Sequence, residues 1–447
     1  MKKINLLFIL TSLILVFSAC SKDKLYDSKL SEEDLNTENY AVSMDDAILI
    51  AQNFFDLEAE ERGTQESPRI VTKVTDVKES ETDDPLLYII EYESGFCLIA
   101  ADTRYDPILA HSDENEWGGK DLPGPNLMIK IYAEQIKKIK AQDERQADEL
   151  KGIWGKLLKT RNNTVTPQGT NDRFYYNQCT YGECRPSFCD SYTSTNVGPF
   201  IDPIAQWSQS GSFKIFTPFN NDCSCDRDPA GCGPVALAMI MRFHQSPMMT
   251  MTFNGESLPS NYGIMPRNRS SNCNSTSTAF RTSSMLVRLC GSAMNSNYSP
   301  FGTCNTSTHP NKLGNGLDFF GYTHDGKGNL DDRYNAVNND LRNGFPVIMS
   351  GAENIFGKSW HIWVADGYRY TLSSYFSDNG MCNDIYHGSH PMMCGVCPDC
   401  VNCYQYSSRR WHMNWGWNGN SNGWFNANPF SVDDFDALMR VYTNIRS

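Results

Sequence analysis

The sequence predicts an α+β fold in two units, and three observations carry that prediction. Residues 41–160 mix helical and strand periodicities and hold few cysteines. Residues 172–447 are rich in Gly, Ser, Asn, Trp and Cys, with helical signals early and strand signals gathered near the end. A polar segment containing Pro167 and Gly169 separates the two. A helical half followed by a β-rich half is an α+β plan. A chain of 447 residues is long enough for two folded units beyond an export signal.

The first element is that export signal, at residues 1–20. Lys2 and Lys3 form a short basic region, and residues 6–17 form an apolar stretch too short for a stable membrane anchor. Phe17-Ser18-Ala19-Cys20 then sets small residues before a cysteine, the pattern of a bacterial lipoprotein signal. Cys20 would be diacylated, become the new N-terminus and tie the chain to a membrane. The competing reading is an ordinary secretory signal with Cys20 incidental. Either way the chain is exported, to the outer membrane or the cell surface, with release after processing left open. Residues 21–40 read as a tether. The net charge of −13 argues against nucleic acid as a partner.

Within residues 41–160, Ser43 is a cap for a helix whose apolar face is Ala47, Ile48, Ile50, Ala51, Phe54 and Phe55. Residues 86–92 and 95–101 read as a hairpin turning at Glu93-Ser94, and residues 107–110 as a third strand. Residues 126–158 show helix periodicity with a possible break. Residues 161–171 are the best linker in the chain and a good site for nicking.

In residues 172–447 the chemistry centres on Cys232. It stands in Gly231-Cys232-Gly233-Pro234, a small-residue turn running into an apolar helix. A helix N-terminus favours an anion and lowers a thiol's pKa. Local sequence alone does not separate a nucleophile from one more disulfide partner. A cysteine nucleophile needs a base, an orienting group and oxyanion donors. His361, in the strand-like run at 359–365, is the leading base. His244 is about twelve residues along the same helix, roughly 18 Å away, and is excluded. His412 is a second candidate, and Asn414 falls on its strand face as a possible orienter of either histidine. Gln209 is a candidate oxyanion donor alongside the Cys232 backbone N–H.

The order Gln209, Cys232, His361, Asn414-Trp415 resembles the streptopain family of secreted cysteine peptidases, which has a papain-like two-lobed fold. Trp207-Ser208-Gln209 resembles the family's oxyanion segment, Gly231-Cys232 its nucleophile helix, and Phe345-Pro346-Val347 leading to His361 its histidine strand. His412-Met413-Asn414-Trp415-Gly416-Trp417, the most specific match, resembles its Asn-Trp-Gly-Trp segment. Residues 88–101, then Arg104-Tyr105-Asp106-Pro107 and Tyr132-Ala133-Glu134, resemble its inhibitory propeptide. The resemblance implies that Cys232 is the nucleophile, His361 the base, Gln209 part of the oxyanion hole and Asn414 the orienter of His361. Trp415 would shield that contact, and Trp417 and Trp360 would line the cleft. Residues 41–160 would be the propeptide, an intramolecular inhibitor, and protein or peptide would be the substrate. No cofactor is implied.

There are departures. Gly233-Pro234 follows the nucleophile, Trp360 replaces a small residue before the histidine, and a cysteine-rich insertion spans about 373–410. They keep a second reading open: a catalytically inactive member that binds peptide or protein at the cell surface. Within the insertion, Cys394, Cys397, Cys400 and Cys403 recur at three-residue spacing, which suits disulfides or a metal. Export favours disulfides, so no metal is assigned, and a metal or redox protein is the third reading. Cys97 reads as a buried free thiol. Cys179, Cys184, Cys189, Cys223, Cys225, Cys273, Cys290 and Cys304 read as disulfide partners of unknown connectivity.

Overall fold

The structure, a computed structural model, describes residues 39–64, 69–80, 83–119, 122–142, 144–158, 192–352, 360–376, 403–431 and 438–447. The predicted export signal with Cys20, the linker at 161–171, Cys179, Cys184, Cys189, Cys382 and Cys394–Cys400 lie outside these residues.

The N-terminal part opens with helix α1 (Met44–Glu61). Ser43 caps it, its hydroxyl accepting the Asp46 N–H at 3.1 Å. The face predicted from spacing is turned inward, with Ala47, Ile50, Ala51, Phe54 and Phe55 buried. Four antiparallel strands follow: β1 (Val71–Val77), β2 (Leu87–Tyr92), β3 (Phe96–Ala100) and β4 (Ile108–Ser112). The β2–β3 turn needs Gly95. Its φ is +91°, and a Cβ there would lie 2.2 Å from the Ser112 carbonyl oxygen. The long helical stretch is two helices, α2 (Pro123–Lys140) and α3 (Asp148–Leu158). The second folds back on α1, where Asn53 Nδ2 donates to the Leu157 carbonyl at 2.6 Å.

The C-terminal part contains β5 (Tyr192–Val197), α4 (Cys232–His244), the hairpin β6 (Thr250–Phe253) and β7 (Glu256–Pro259), and α5 (Thr278–Ala293). Next come β8 (Asn297–Tyr298), β9 (Thr306–Ser307), α6 (Lys312–Phe319), β10 (Lys327–Asn329) and α7 (Leu330–Arg342). Five strands finish the chain: β11 (Val347–Ala352), β12 (Trp360–Phe376), β13 (Cys403–Asn414), β14 (Gly423–Asn426) and β15 (Leu438–Tyr442). Helix α4 packs α5 and one face of the central strands, in a core that includes Val235, Met239, Leu286, Ile348, Ile362 and Val364.

The two predicted parts share one sheet. Its order is β1-β2-β3-β4-β14-β13-β12-β11-β15-β10, with β5 added on β12. The join is β4 against β14, antiparallel, pairing His111 with Trp424 and Ala110 with Phe425. One apolar core then runs from Phe55 and Leu98 through Tyr132 to Trp411, Trp415 and Phe425. Polar contacts cross the same join. Arg369 Nη1 on β12 reaches both carboxylate oxygens of Glu58 on α1, at 2.8 and 2.6 Å. Tyr132 Oη donates to the Asn426 carbonyl at 2.9 Å, and Asn426 Nδ2 donates to Asp106 at 2.6 Å.

Both ends of the segment predicted as an insertion, near 373–410, lie in the sheet. Residues 373–376 and 403–410 are strand, paired continuously from Phe376–Cys403 onward along the β12–β13 ladder. That ladder ends at Val364–Asn414, with one irregularity between Ala365 and Gly367. Whatever residues 377–402 do, the chain leaves and re-enters the sheet in register, so the strand carrying Asn414 is held. Two disulfides are present among the described residues, Cys223–Cys304 and Cys225–Cys273. Cys97 is free and buried. Cys290, read as a disulfide partner, is also free: it is buried in the α4–α5 interface with its sulfur 3.5 Å from that of Met241. Among the described residues no helix is long and apolar enough to cross a membrane.

The Arg369–Glu58 pair gives a direct test of the join. Both side chains are 9% exposed. Removing one charge strands the other in a buried site, which costs about 3–5 kcal/mol. Glu58→Gln should lower the urea midpoint of the full chain accordingly. An unchanged midpoint would mean that the pair does not hold the two parts together.

Candidate active site

Cys232 is the first residue of α4, and Gly231 is its N-cap. Gly231 has φ +92°, and a Cβ there would approach Thr306 Cγ2 to 2.7 Å. The tight turn therefore needs glycine, and it sets the thiol at the helix tip. Pro234 lies in the first turn, where its missing N–H removes no helical bond. The Cys232 sulfur is met by backbone hydrogen bonding from Ile362, Gly233 and Cys232 itself. It thus sits beside the β12 residue that follows His361.

His361 is buried on β12, opposite Gly351 on β11. Its ring stacks on Trp417 (5.4 Å between centroids, 10° between planes) and on Trp363 (6.0 Å, 14°). His361 Nε2 donates to the Trp415 carbonyl at 2.9 Å. A carbonyl only accepts, so Nε2 carries the proton and Nδ1 is the basic nitrogen of the neutral ring.

The other predicted residues are gathered by the 415–418 turn. The segment around Ser208 bridges Trp417, Asn418 N–H donates to the Trp207 carbonyl at 3.0 Å, and Ala230 N–H donates to the Gln209 carbonyl at 2.9 Å. Gln209 is half-buried between the nucleophile turn and the tryptophan turn. Trp415 is fully buried, and its indole N–H donates to the Ser421 carbonyl at 2.8 Å. Trp360 is at the rim beside His309, 6.2 Å between rings.

One predicted contact is different. Asn414 does not hydrogen-bond His361 here. Its Nδ2 donates to the Ala205 carbonyl at 2.8 Å, and its Oδ1 accepts the Gly416 N–H at 3.3 Å. The Asn414 amide thus shapes the turn whose next residue, Trp415, holds the histidine. His412, the rival base, is elsewhere. It pairs with Gly367, six residues along β12 from His361 and so roughly 20 Å away. Its Nδ1 donates to Asp366 at 2.7 Å, while the other Asp366 oxygen accepts the backbone N–H groups of Ile201 and Asp202 at 2.7 and 2.8 Å. Burial disfavours charge on His412, but Asp366 outweighs it and raises its pKa. This is a buried structural pair.

Sequence reasoning missed Gly124. It lies in the first turn of α2, and a Cβ on it would fall 2.4 Å from Trp415 Cε3 and 2.7 Å from His361 Cδ2. The start of α2 therefore lies directly on the histidine and its tryptophan. One turn on, Leu127 reaches Gly351. The signal was available in Pro123-Gly124-Pro125, a glycine between two prolines at a helix start, where proline is favoured. Burial then sets the charge state. The Cys232 thiol is pushed up by burial, against the lowering effect of the backbone N–H groups. His361 is pushed down to about 4 by burial, only partly offset by its bond to Trp415. The sequence predicted a lowered thiol pKa from the helix N-terminus, but in the closed site desolvation is the larger effect. Both groups are neutral at pH 7.

Residues 207–425 match the model of the Peptidase C10 family, and residues 39–136 match that of the Spi protease inhibitor. No curated protein matches. Among solved structures, a fragment of prointerpain A from Prevotella intermedia is similar at 15% identity, over 84% of this chain and 99% of that one, with a TM-score of 0.50. Active interpain A cysteine protease from the same organism matches at 18% identity over 55% of this chain and 94% of that one, with a TM-score of 0.36. The fold agrees with that of the longer neighbour: an inhibitor domain followed by a protease domain. With nucleophile helix, histidine strand and tryptophan turn brought together under an N-terminal domain of inhibitor type, the chain belongs to the Peptidase C10 (streptopain) family and is the zymogen of a cysteine peptidase.

Proposed function

We propose that this chain is an exported lipoprotein zymogen of a cysteine endopeptidase, inhibited by residues 41–160 and activated by their removal after cleavage within 161–171. The observation that carries the reading is the placement of Gly124 against His361 and Trp415. An inhibitory segment should lie on the catalytic machinery, and the contact of α2 with His361 supports that reading. The lipid anchor rests on Phe17-Ser18-Ala19-Cys20 alone.

With α2 gone, solvent reaches the pair and the burial that keeps it neutral is relieved. His361 Nδ1 takes the Cys232 proton, giving a thiolate at the positive end of α4. The thiolate attacks the substrate carbonyl carbon. The developing oxyanion is held by the Cys232 backbone N–H and the Gln209 amide. Collapse breaks the C–N bond as His361 returns the proton to the leaving amine, leaving a thioester. Water, deprotonated by His361, then hydrolyses the thioester. Asn414 acts by fixing the turn that presents the Trp415 carbonyl to His361.

Cys232→Ala should stop both maturation to a shorter form and hydrolysis of casein. Continued cleavage by that variant would overturn the assignment. Gly124→Val should loosen inhibition. The added atoms collide with an indole and an imidazole that are packed on all sides, a strain of about 1–3 kcal/mol. The closed state should weaken by roughly 5- to 150-fold, seen as faster self-processing of the full chain.

The pH dependence has a defined sign. Solvated, His361 would titrate at its ordinary value near 6.5; in the closed site it titrates at about 4. Closure is therefore unimpaired above about pH 6.5 and weakens as pH falls toward 4, by at most about 3 kcal/mol. His111 at the join is also held low, by burial and then by the charges of Arg369, Arg410 and Arg62, and acts in the same direction. In the Cys232→Ala chain, hydrogen-exchange protection of α2, corrected for intrinsic rates, should fall between pH 6.5 and 4. Constant protection would exclude histidine control of closure.

A further inference from the structure

An open groove lies outside the catalytic site. It has a volume of about 490 Å³ and lies on the peptidase part, lined by the segment between Gln209 and Cys232 and by the β6–β7 hairpin. No residue of the N-terminal domain lines it. Three phenylalanines form its walls. Phe216 and Phe253 meet edge to face at 6.2 Å, and Phe219 is 76% exposed. Two arginines lie on these rings, Arg227 at 3.9 Å over Phe219 and Arg281 at 5.0 Å over Phe216.

The two cations differ. Arg281 is neutralised by Glu256 through a two-point ion pair, with Nε to Oε1 at 2.8 Å. Among the described residues, Arg227 makes a hydrogen bond from Nη1 to the Thr217 carbonyl at 2.6 Å and no ion pair. Its neighbours in sequence, Asp226 and Asp222, do not pair with it. Arg227 lines the groove, in a chain whose net charge is −13.

The exposed ring is not on a loose loop. Phe219 and Arg227 form a β-bridge, Asn220 N–H donates to the Asp226 carbonyl at 2.9 Å, and Asn220 Nδ2 donates to Asp228 at 2.8 Å. Cys225 is tied to Cys273, beside the groove residue Asn274. An apolar surface held rigid, open to solvent and topped by an unpaired arginine is built for a partner that brings a carboxylate and an apolar side chain together.

We propose that this groove is an exosite for polypeptide substrates, binding a segment in which an acidic residue adjoins an aromatic one. The carboxylate pairs with Arg227 and the ring packs on Phe219 and Phe216. The proposal rests on the peptidase reading for the word substrate. The groove itself is open in the zymogen.

Two measurements separate the proposal from that reading. The first uses the full-length Cys232→Ala chain and a fluorescein-labelled Gly-Glu-Phe-Glu-Gly peptide, with a lysine-for-glutamate peptide as control. Fluorescence polarisation should show binding of the acidic probe only. Arg227→Gln and Phe219→Ser should each weaken it about tenfold. Glu256→Gln, which frees Arg281, should tighten it, a gain that a merely structural role would not produce. No binding, equal binding of the lysine probe, or indifference to both weakening variants would overturn the exosite. The second compares kcat/KM of the activated enzyme on a protein-derived substrate with and without an acidic-aromatic extension. An advantage lost in Arg227→Gln supports the exosite, and equal cleavage of both substrates counts against it. If neither is cleaved, the peptidase reading fails while the binding result still decides the exosite.

Discussion

The closed state depends on a backbone lying where a side chain cannot fit. Gly124 brings the first turn of α2 onto His361 and Trp415, within the distance that any Cβ would occupy. That approach is possible because α2 starts at a proline and is anchored further along. Tyr132 and Leu127 enter the shared core, and Tyr132 donates to the Asn426 carbonyl. The helix is thus aimed from both ends: by the proline-restricted entry and by a fixed hydrogen bond more than two turns on.

Closure acts through solvation rather than through a competing covalent or ionic group. A helix N-terminus stabilises a thiolate, and backbone N–H groups around Cys232 do so here. A neutral imidazole can take the thiol proton only if the resulting imidazolium is solvated or paired. Packed between Trp363, Trp417 and the α2 turn, the His361 ring is buried, and burial pushes its pKa down to about 4. The same residues that hold the histidine in place therefore keep it neutral while α2 is docked. On the proposed activation, removing the helix would change the dielectric around the pair.

The parts of this design that were legible in the sequence were those carried by local chemistry. Gly231-Cys232-Gly233-Pro234 announced a helix tip with a thiol, and the Ser43 cap and the α1 face were readable from spacing. The His361 strand was readable from its apolar run. What was hidden depended on burial by distant chain. Strands β12 and β13 extend to Phe376 and from Cys403, but Arg369, Thr371, Ser373, Ser408 and Arg410 are polar and yet buried. They face the N-terminal domain, so the hydrophobic alternation that marks a strand is absent and the stretch reads as irregular. Strand β1 was hidden for another reason, being an edge strand with no fully buried residue. The Asn414–His361 contact was implied by the family resemblance, and the sequence does not show which partner the amide meets across a turn.

The join between the domains must be specific and still separable, and its chemistry fits both demands. A wholly apolar interface of this extent would leave a large greasy face on the mature enzyme. Here the apolar core is interleaved with Arg369–Glu58, Asp106 with Asn426, and Gln206 with Asn115 at 2.9 Å. Buried ion pairs add little net stability because desolvation offsets their attraction, but a misplaced partner leaves a charge stranded. Register is thereby enforced more strongly than affinity. On the proposed release, Arg369 and Asn426 would exchange Glu58 and Asp106 for water, Gln206 would lose Asn115 but keep Asp202 and Asn268, and the freed strand β14 is only four residues long. A short edge flanked by polar groups resists pairing with other chains, so on the proposed release the surface that held the inhibitor would not become a site of aggregation.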